Sequence, residues 1–161
     1  MNQGTIVILG AGGHARVVVE ALKAMGFGRG VFLDDERGIS FVEGWEYAGA
    51  ITESAIRGLG WVMGRFIVGV GSVNAEGCAL RDKLFIMALA YGLDPLTVIA
   101  PTAVVVDDLG IGTFVGPGAI VMPGAVVGSN SIINTGAIVE HDTVLGWSCH
   151  LGTGAILCGG V

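Results

Sequence analysis

The sequence predicts a small α/β domain joined to a parallel β-helix, and two observations lead to this prediction. From residue 109 to its last residue the chain repeats a pattern of six residues, which is typical of a parallel β-helix. Before that repeat, short apolar runs alternate with amphipathic helical stretches, and a glycine-rich turn follows the first run. We therefore expect residues 1–95 to form a Rossmann-like domain and residues 96–161 to form the β-helix.

The six-residue repeat fixes the geometry of each coil. Its aliphatic position is unbroken: Leu109, Val115, Val121, Val127, Ile133, Val139, Leu145, Leu151 and Leu157. Four positions later lies a small or β-branched residue, and just before that one comes Gly, Asn130, Asp142 or Ser148, all of which accept left-handed turns. Three repeats, about eighteen residues, close one triangular coil, and coils stack about 4.8 Å apart. Residues eighteen positions apart should therefore be neighbours.

The first elements of the α/β domain are a strand, a glycine-rich loop and a helix. Residues 5–9 form an apolar run, residues 10–15 carry the sequence GAGGHA, and a helical pattern follows until Gly26. This order is the first half of a Rossmann-like unit. The glycines allow a ligand to approach the backbone, and the amides at a helix N-terminus favour phosphate.

A second strand is expected over residues 31–33, and it ends at two acids, Asp34 and Asp35. An acid about twenty residues after the glycine loop is where dinucleotide-binding proteins place the group that reads the ribose. The fingerprint G-x-G-x-x-A therefore also fits a dinucleotide site, although such matches are often accidental.

The rest of the α/β domain has a weaker pattern. Residues 41–60 are weakly patterned, and within them a short helix is expected over residues 52–59. A strand is expected over residues 65–70, a last strand over residues 96–99, and an irregular first coil at residues 105–108. Between these strands we expect a helix over residues 76–91, whose apolar side is formed by Leu80, Leu84, Met87 and Leu89.

Composition and charge exclude several classes of protein. The net charge is −6, and every Lys and Arg lies at or before Lys83, so no basic patch suits nucleic acid. No apolar run approaches the ~20 residues of a membrane span, and because a strand is predicted at the first residues we expect no signal peptide. The three cysteines, Cys78, Cys149 and Cys158, have neither metal nor disulfide spacing. We expect a cytoplasmic protein without a metal site.

Two histidines occupy unusual positions in the repeat. Other repeats carry Pro, Ser, Thr or Gly in the outward slot of His141, so no packing demand explains an imidazole there. A histidine can act as general base near neutral pH, and an adjacent carboxylate, here Glu140 or Asp142, would orient it and stabilise the imidazolium. His150 lies in a slot that is otherwise apolar, which also favours a functional role.

The run from Ile133 to Asp142, with His150 nine residues after His141, resembles a known family. It is similar to the left-handed β-helix (hexapeptide-repeat) acyltransferases, within them the nucleotide-sugar N-acetyltransferases and sialic acid O-acetyltransferases. The resemblance implies acetyl transfer from acetyl-coenzyme A to an amino or hydroxyl group of a nucleotide-activated sugar in polysaccharide biosynthesis. It also implies a homotrimer, with the coenzyme between adjacent left-handed β-helices.

The resemblance also implies roles for single residues. It implies that Asp142 is the carboxylate beside the base, with Glu140 as the alternative. It also implies that His150, Gly152 and Gly159 contact the coenzyme. Gly159 follows His141 by eighteen residues, so its N–H could polarise the thioester carbonyl. The nucleotide sugar would be held by Gly10, Gly12, Gly13, His14, Asp34, Asp35, Gly71 and Asn74.

Two departures from the family pattern and two other interpretations stay open. The histidine that the family carries between Ile99 and Pro101 is Ala100 here, and we expect further coils, with basic residues for the coenzyme phosphates, after Val161. One alternative to the acetyltransferase interpretation is an NAD-dependent oxidoreductase that binds its cofactor at the glycine-rich loop. The other is a trimeric nucleotide-sugar-binding protein without catalysis. The sequence leaves open the sugar, the nucleotide and the choice between an amino and a hydroxyl acceptor.

Overall fold

The computed structural model describes residues 5–36, 43–60, 64–71 and 73–161. The elements of these ranges are, in chain order, β1 (Ile6–Leu9), α1 (Gly13–Ala24), β2 (Gly30–Leu33), β3 (Trp45–Gly49), α2 (Glu53–Gly60), β4 (Arg65–Val68), α3 (Ala75–Ala90), β5 (Asp94–Pro95), β6 (Val98–Ile99), β7 (Val104–Val105), β8 (Phe114–Val115), β9 (Ile120–Val121), β10 (Val126–Val127), β11 (Ile132–Ile133), β12 (Ile138–Val139), β13 (Val144–Leu145), β14 (His150–Leu151) and β15 (Ile156–Leu157). Among the helices of these ranges, none combines the length and the apolar character needed to cross a membrane.

The first five strands form one parallel sheet in the order β3-β2-β1-β4-β5. Helix α1 packs on one side of this sheet, and α2 and α3 pack on the other, so both sides are buried. The chain adds β2 and β3 on one side of β1 and then crosses to β4 on the other side, so the strand order reverses between β1 and β4. In such sheets the crevice at the carboxyl ends of the strands next to the reversal is where ligands bind. The predicted Rossmann-like fold is confirmed.

Strand β3 was not predicted from the sequence. It is an edge strand that pairs with β2 alone, and three of its five residues are exposed, so it lacks a continuous apolar run. Its buried residue is Trp45, whose ring lies against Gly30 so closely that a Cβ at that glycine would be 2.4 Å from the ring. The contact of two distant residues, rather than a local pattern, determines this strand.

The remaining strands wind into a parallel β-helix with three faces. The first face consists of β6, β8, β11 and β14, the second of β7, β9, β12 and β15, and the third of β10 and β13 with a bridge from Leu109 to Val127. The non-glycine corner residues Asn130, Asp142 and Ser148 all have left-handed φ angles between 52° and 59°. The turns predicted at these positions are therefore confirmed.

The first face is covered by the α/β domain. Its outward side chains Val98, Phe114 and Ile132 are fully buried in one cluster with residues of α1, β1 and β4. The β-helix and the α/β domain thus share a hydrophobic core. The second and third faces carry outward aliphatic residues that stay exposed, such as Val126 at 57% and Val144 at 68%.

Helix α3 buries a different side from the one predicted. Leu84 is buried as expected, but Leu80 and Leu89 are exposed at 45% and 37%, while Arg81 and Phe85 are buried. The reason is that α3 packs on both the sheet and a corner of the β-helix. Phe85 fills the space at that corner, where it meets the Trp147 ring edge-on at 5.6 Å.

Arg81 joins the α/β domain to the β-helix through main-chain carbonyl groups. Its Nε donates to the carbonyl of Asn130 at 2.7 Å, and its Nη1 donates to the carbonyls of Val68 at 2.8 Å and Val70 at 3.0 Å. The side chain is 2% exposed, and burial is the main cause that lowers its pKa to about 10. The guanidinium is therefore charged at neutral pH, and in the described part of the chain carbonyl dipoles are its acceptors.

We predict that Arg81→Met destabilises the protein because two buried carbonyl groups and one partly buried carbonyl group lose their donor. The expected loss is about 3 kcal/mol, and the expected fall in the unfolding temperature is roughly 6–12 °C. Thermal unfolding followed by circular dichroism measures it, with Arg29→Met, at an exposed arginine, as the control. Equal unfolding temperatures for the two variants would show that the carbonyl contacts of Arg81 do not matter for stability.

Candidate active site

His141 lies at the corner between β12 and β13, and its imidazole is exposed. Its Nδ1 is 2.9 Å from Oδ2 of Asp142, the next residue, which adopts the left-handed conformation with φ 59°. The hydrogen bond to Asp142 and the charge of Asp142 raise the pKa of His141 above 6.5; burial opposes this rise, and the charge of Glu140 adds to it less than burial takes away. With Nδ1 held by the carboxylate, Nε2 is the nitrogen left for a reacting group.

Gly159 lies directly against this imidazole. A Cβ built on Gly159 would be 2.7 Å from Nε2 of His141, and the N–H of Gly160 donates to the His141 carbonyl at 2.9 Å. The spacing of eighteen residues thus brings these two positions together, as the repeat predicts. Any side chain at residue 159 would cover Nε2, so the glycine keeps this nitrogen accessible.

His14 and His150 meet at the first face of the β-helix. The rings of these two histidines are 6.4 Å apart, and His14 meets the Phe114 ring edge-on at 5.0 Å. Nε2 of His150 lies 3.1 Å from the amide nitrogen of Asn134, which can donate to it. Gly71 packs on His14 so closely that a Cβ there would be 2.6 Å from the Cβ of His14.

His14 is held in its neutral form. Burial, followed by the positive charge of Arg81 and by His150, lowers its pKa to about 3. Its Nε2 is buried, and no donor or acceptor within the described ranges pairs with it. A neutral imidazole can donate or accept a hydrogen bond, but it is a weak proton acceptor at neutral pH. His14 therefore suits binding rather than general-base catalysis.

The glycine-rich loop leaves the N-terminus of α1 open. Gly10 has φ 101°, where a Cβ would also lie 2.8 Å from the Val70 side chain. Gly12 precedes the helix without a side-chain cap, and a Cβ at Gly12 or Gly13 would meet only open space. The first turn of α1 contains no acid. These amides and the helix dipole can therefore receive an anion such as phosphate.

The two acids after β2 contact the main chain. Asp34 accepts hydrogen bonds from the N–H groups of Ala11 at 2.6 Å and Glu36 at 2.9 Å, so it fixes the glycine-rich loop. Asp35 accepts from the N–H of Ile51 at 3.0 Å. Their roles in reading a ribose or a sugar stay a prediction.

A cavity of about 450 Å³ lies between these acids and α3. Glu36 joins Asp34 and Asp35 on one wall, and Leu80, Lys83 and Met87 lie on the other. Glu36 and Lys83 were not among the site residues predicted from the sequence. The positions of Leu80, Lys83, Leu84 and Met87 on one side of a helix could have indicated that Lys83 faces a common surface with them.

The remaining predicted residues have simpler surroundings. The Asn74 side chain accepts a hydrogen bond from the N–H of Gly77 at 2.8 Å and so caps α3. The Gly152 carbonyl accepts from the N–H of Ala155 at 3.1 Å, and the side of Gly152 where a Cβ would stand is open. Residue 72, in the predicted turn between Gly69 and Asn74, lies outside the described ranges.

The candidate residues fall into two groups. His14, Gly71 and His150 lie where the α/β domain meets the first face, and the glycine-rich loop and the cavity belong to the α/β domain. His141, Asp142 and Gly159 lie at the corner between the second and third faces, which is the corner opposite the first face. Within one chain the two groups therefore lie on opposite sides of the β-helix.

Comparisons with known proteins agree with this architecture. The family described as PglD N-terminal domain matches residues 5–85. The acetyltransferase domain of PglB from Neisseria gonorrhoeae, in complex with acetyl coenzyme A, is 32% identical with a TM-score of 0.86 over 98% of this chain and 75% of that chain. A mutant of GDP-perosamine N-acetyl transferase from Caulobacter crescentus, in complex with CoA and GDP-perosamine, is 36% identical with a TM-score of 0.83 over 98% of this chain and 72% of that chain.

A more distant structure shares the fold alone. WeeI from Acinetobacter baumannii is 18% identical, with a TM-score of 0.73 over 94% of this chain and 71% of that chain. Among curated proteins, none gives a significant match.

We predict that the Asp142 carboxylate, rather than Glu140, sets the pKa of His141. Asp142→Asn should lower this pKa because the hydrogen bond to a charged acceptor is lost, whereas Glu140→Gln should change it less. Titration of the histidine ring protons by nuclear magnetic resonance measures both, with His141→Ala to assign the signal. His14 should keep its neutral-form shifts down to about pH 4, consistent with its pKa of about 3. A larger shift from Glu140→Gln would assign the partner to Glu140 instead.

Proposed function

The chain belongs to the PglD family of left-handed β-helix acetyltransferases, enzymes that use acetyl-coenzyme A to acetylate nucleotide-activated sugars, and from this premise we propose that His141 is the general base. The acceptor that we propose is an amino group of the sugar, because the relative with 36% identity is an N-acetyl transferase. The observation that carries the proposal is the imidazole of His141, oriented by Asp142 and open at Nε2.

In this proposal the reaction is a direct attack. The amine nitrogen of the sugar forms a bond to the thioester carbonyl carbon, and Nε2 of His141 accepts the proton that the amine loses. Asp142 stabilises the imidazolium that results. The bond from carbon to sulfur then breaks, and the imidazolium returns the proton to the departing thiolate, so His141 ends the cycle neutral.

The surroundings of Nε2 support this role. The hydrogen bond and the charge of Asp142 raise the pKa of His141, which makes its imidazole a stronger base. Because Gly159 has no side chain, the thioester can lie against the next coil, where the Gly159 N–H could donate to the oxyanion. His150 and Gly152 are proposed to contact the coenzyme.

The nucleotide sugar is proposed to bind to the α/β domain. The open N-terminus of α1, at Gly12 and Gly13, suits the pyrophosphate, since its amides have no side-chain cap and the first turn of the helix contains no acid. A relative of this chain is described in complex with CoA and GDP-perosamine, which supports a nucleotide sugar as the second substrate. Gly10, Asp34 and Gly71 would hold the loop and His14 in position.

We propose a homotrimer in which His141 of one subunit acts on the sugar held by a neighbour. Within one chain, His141 lies at the corner opposite the face that the α/β domain covers, so base and sugar site do not meet. The second and third faces carry exposed aliphatic residues, including Val104, Val126, Val144 and Ile156, which a neighbouring β-helix could bury. Such an arrangement would complete the site between subunits.

The alternatives from the sequence have less support. Hydride transfer needs a second mononucleotide-binding half, and the five-stranded sheet of the described chain is followed by a β-helix instead. A binding protein without catalysis would have no need for the pair of His141 and Asp142 at an exposed corner. A cytoplasmic location is part of the proposal.

We predict that His141→Ala lowers kcat by roughly 10²–10⁴ and leaves the affinity for the nucleotide sugar nearly unchanged. Release of the thiol from acetyl-coenzyme A measures turnover, and calorimetry measures binding. Thr153→Ala is the control, because Thr153 occupies the same repeat position at another exposed corner. Near-normal turnover in His141→Ala would remove this residue from the mechanism.

We also predict that two inactive variants restore activity when they form mixed trimers. One chain carries His141→Ala, and the other carries Gly12→Trp, which fills the space at the start of α1. With random assembly, about a quarter of the sites would combine an intact sugar site with an intact neighbouring base. Activity after co-expression, compared with each variant alone, is the measurement. No recovery in trimers shown to be mixed would mean that base and sugar site belong to the same subunit.

A further inference from the structure

The cavity between β2 and α3 carries an excess of negative charge, and this excess determines which part of a nucleotide can bind there. Its walls carry four carboxylates, from Asp34, Asp35, Glu36 and Glu53, against one ammonium group, from Lys83. A pyrophosphate would be repelled by this excess of negative charge. A neutral group that presents N–H and O–H donors would be attracted, so the cavity suits the nucleoside and leaves the phosphates to the start of α1.

Some of these carboxylates have oxygen atoms left for a ligand. Asp34 is bound to two main-chain N–H groups, and Glu53 accepts from the Tyr91 hydroxyl at 2.7 Å. Asp35 uses Oδ1 for the N–H of Ile51, which leaves Oδ2. The Glu36 side chain contacts no donor in the described part of the chain, and its own N–H fixes it beside Asp34. Two neighbouring acceptors, Asp35 and Glu36, therefore face the cavity.

The opposite wall is apolar except for one cation. Leu80 and Met87 of α3, with Ile51 across the cavity, provide surfaces on which a planar ring can pack. Lys83 lies on the same side of α3 and also lines the cavity. Its ammonium group can donate to a ring carbonyl or a ring nitrogen. The cavity thus pairs two adjacent acceptors with one donor around a flat apolar space.

We propose that this cavity selects guanine, so that the sugar substrate is linked to guanosine diphosphate; the inference rests on the nucleotide-sugar function proposed above. Guanine presents two adjacent donors, N1–H and the 2-amino group, and its O6 and N7 accept on the next edge. Uracil has one ring N–H between two carbonyls, and adenine and cytosine each have one amino group beside an acceptor nitrogen. Guanine is therefore the base whose donors match both Asp35 and Glu36 while O6 or N7 meets Lys83.

The first test compares nucleoside diphosphates by calorimetry on the full chain. GDP, UDP, CDP, ADP and inosine diphosphate share the ribose and the pyrophosphate, so differences in affinity report the base. GDP should bind about tenfold or more tightly than each of the others. Inosine diphosphate lacks the 2-amino group of guanine and is otherwise identical, so the ratio of GDP to inosine diphosphate isolates one hydrogen bond.

Variants then assign the contacts. The double variant Asp35→Asn with Glu36→Gln should bring the affinities of GDP and inosine diphosphate close together, and the Asn keeps an acceptor for the Ile51 N–H. Lys83→Met should weaken both ligands by a similar factor, because both carry O6 and N7. Lys23→Met is the matched control, since Lys23 lies on α1 and pairs with Glu20 at 3.3 Å, away from the cavity.

The outcomes separate this inference from the function that it extends. If none of the five nucleotides binds, the proposed nucleotide-sugar function fails. If they bind with similar affinities, or if UDP binds most tightly, the function stands and the selection of guanine is wrong. Equal affinities for GDP and inosine diphosphate in the unmodified chain would also overturn it, because the adjacent carboxylates would then not read the 2-amino group.

Discussion

The buried guanidinium of Arg81 is the contact on which the arrangement of the two domains depends. It binds two carbonyls at the end of β4 and one at a corner of the β-helix, so a single side chain fixes α3, the sheet and the coils together. A charge with carbonyl partners is costly to bury, and it is tolerated because its donors meet pre-positioned dipoles. The same charge helps to lower the pKa of His14, which ties the electrostatics of the ligand site to the domain junction.

The corners of the β-helix use one kind of turn for two purposes. At the corner between the third and first faces, Asn130 and Ser148 have left-handed φ angles, and the Asn130 amide donates to the Ser148 hydroxyl at 2.8 Å. That stack supports the carbonyl that Arg81 binds. At the corner between the second and third faces, Asp142 adopts the same conformation, and its carboxylate turns towards His141 instead. Asp142 therefore both forms the left-handed turn and orients the imidazole of His141.

The candidate site residues lie in two separate parts of the molecule because one face of the β-helix is covered by the α/β domain. The face next to the α/β domain is committed to the shared core, so exposed side chains with chemical roles are left to the opposite corner. The sheet contributes its own crevice at the reversal of strand order, where the glycine-rich loop, Asp34 and the cavity lie. The proposed homotrimer would bring these two groups of residues together.

The sequence by itself determined what local periodicity controls. The six-residue repeat gave the β-helix, the left-handed corners at Asn130, Asp142 and Ser148, and the contact of His141 with Gly159, because regular coils convert sequence spacing into spatial distance. Tertiary structure alone decided β3, the buried side of α3, the partners of Asp34 and the neutral state of His14. Each of these depends on residues far apart in the chain, since burial and charge are properties of the packed molecule and leave no period in the sequence.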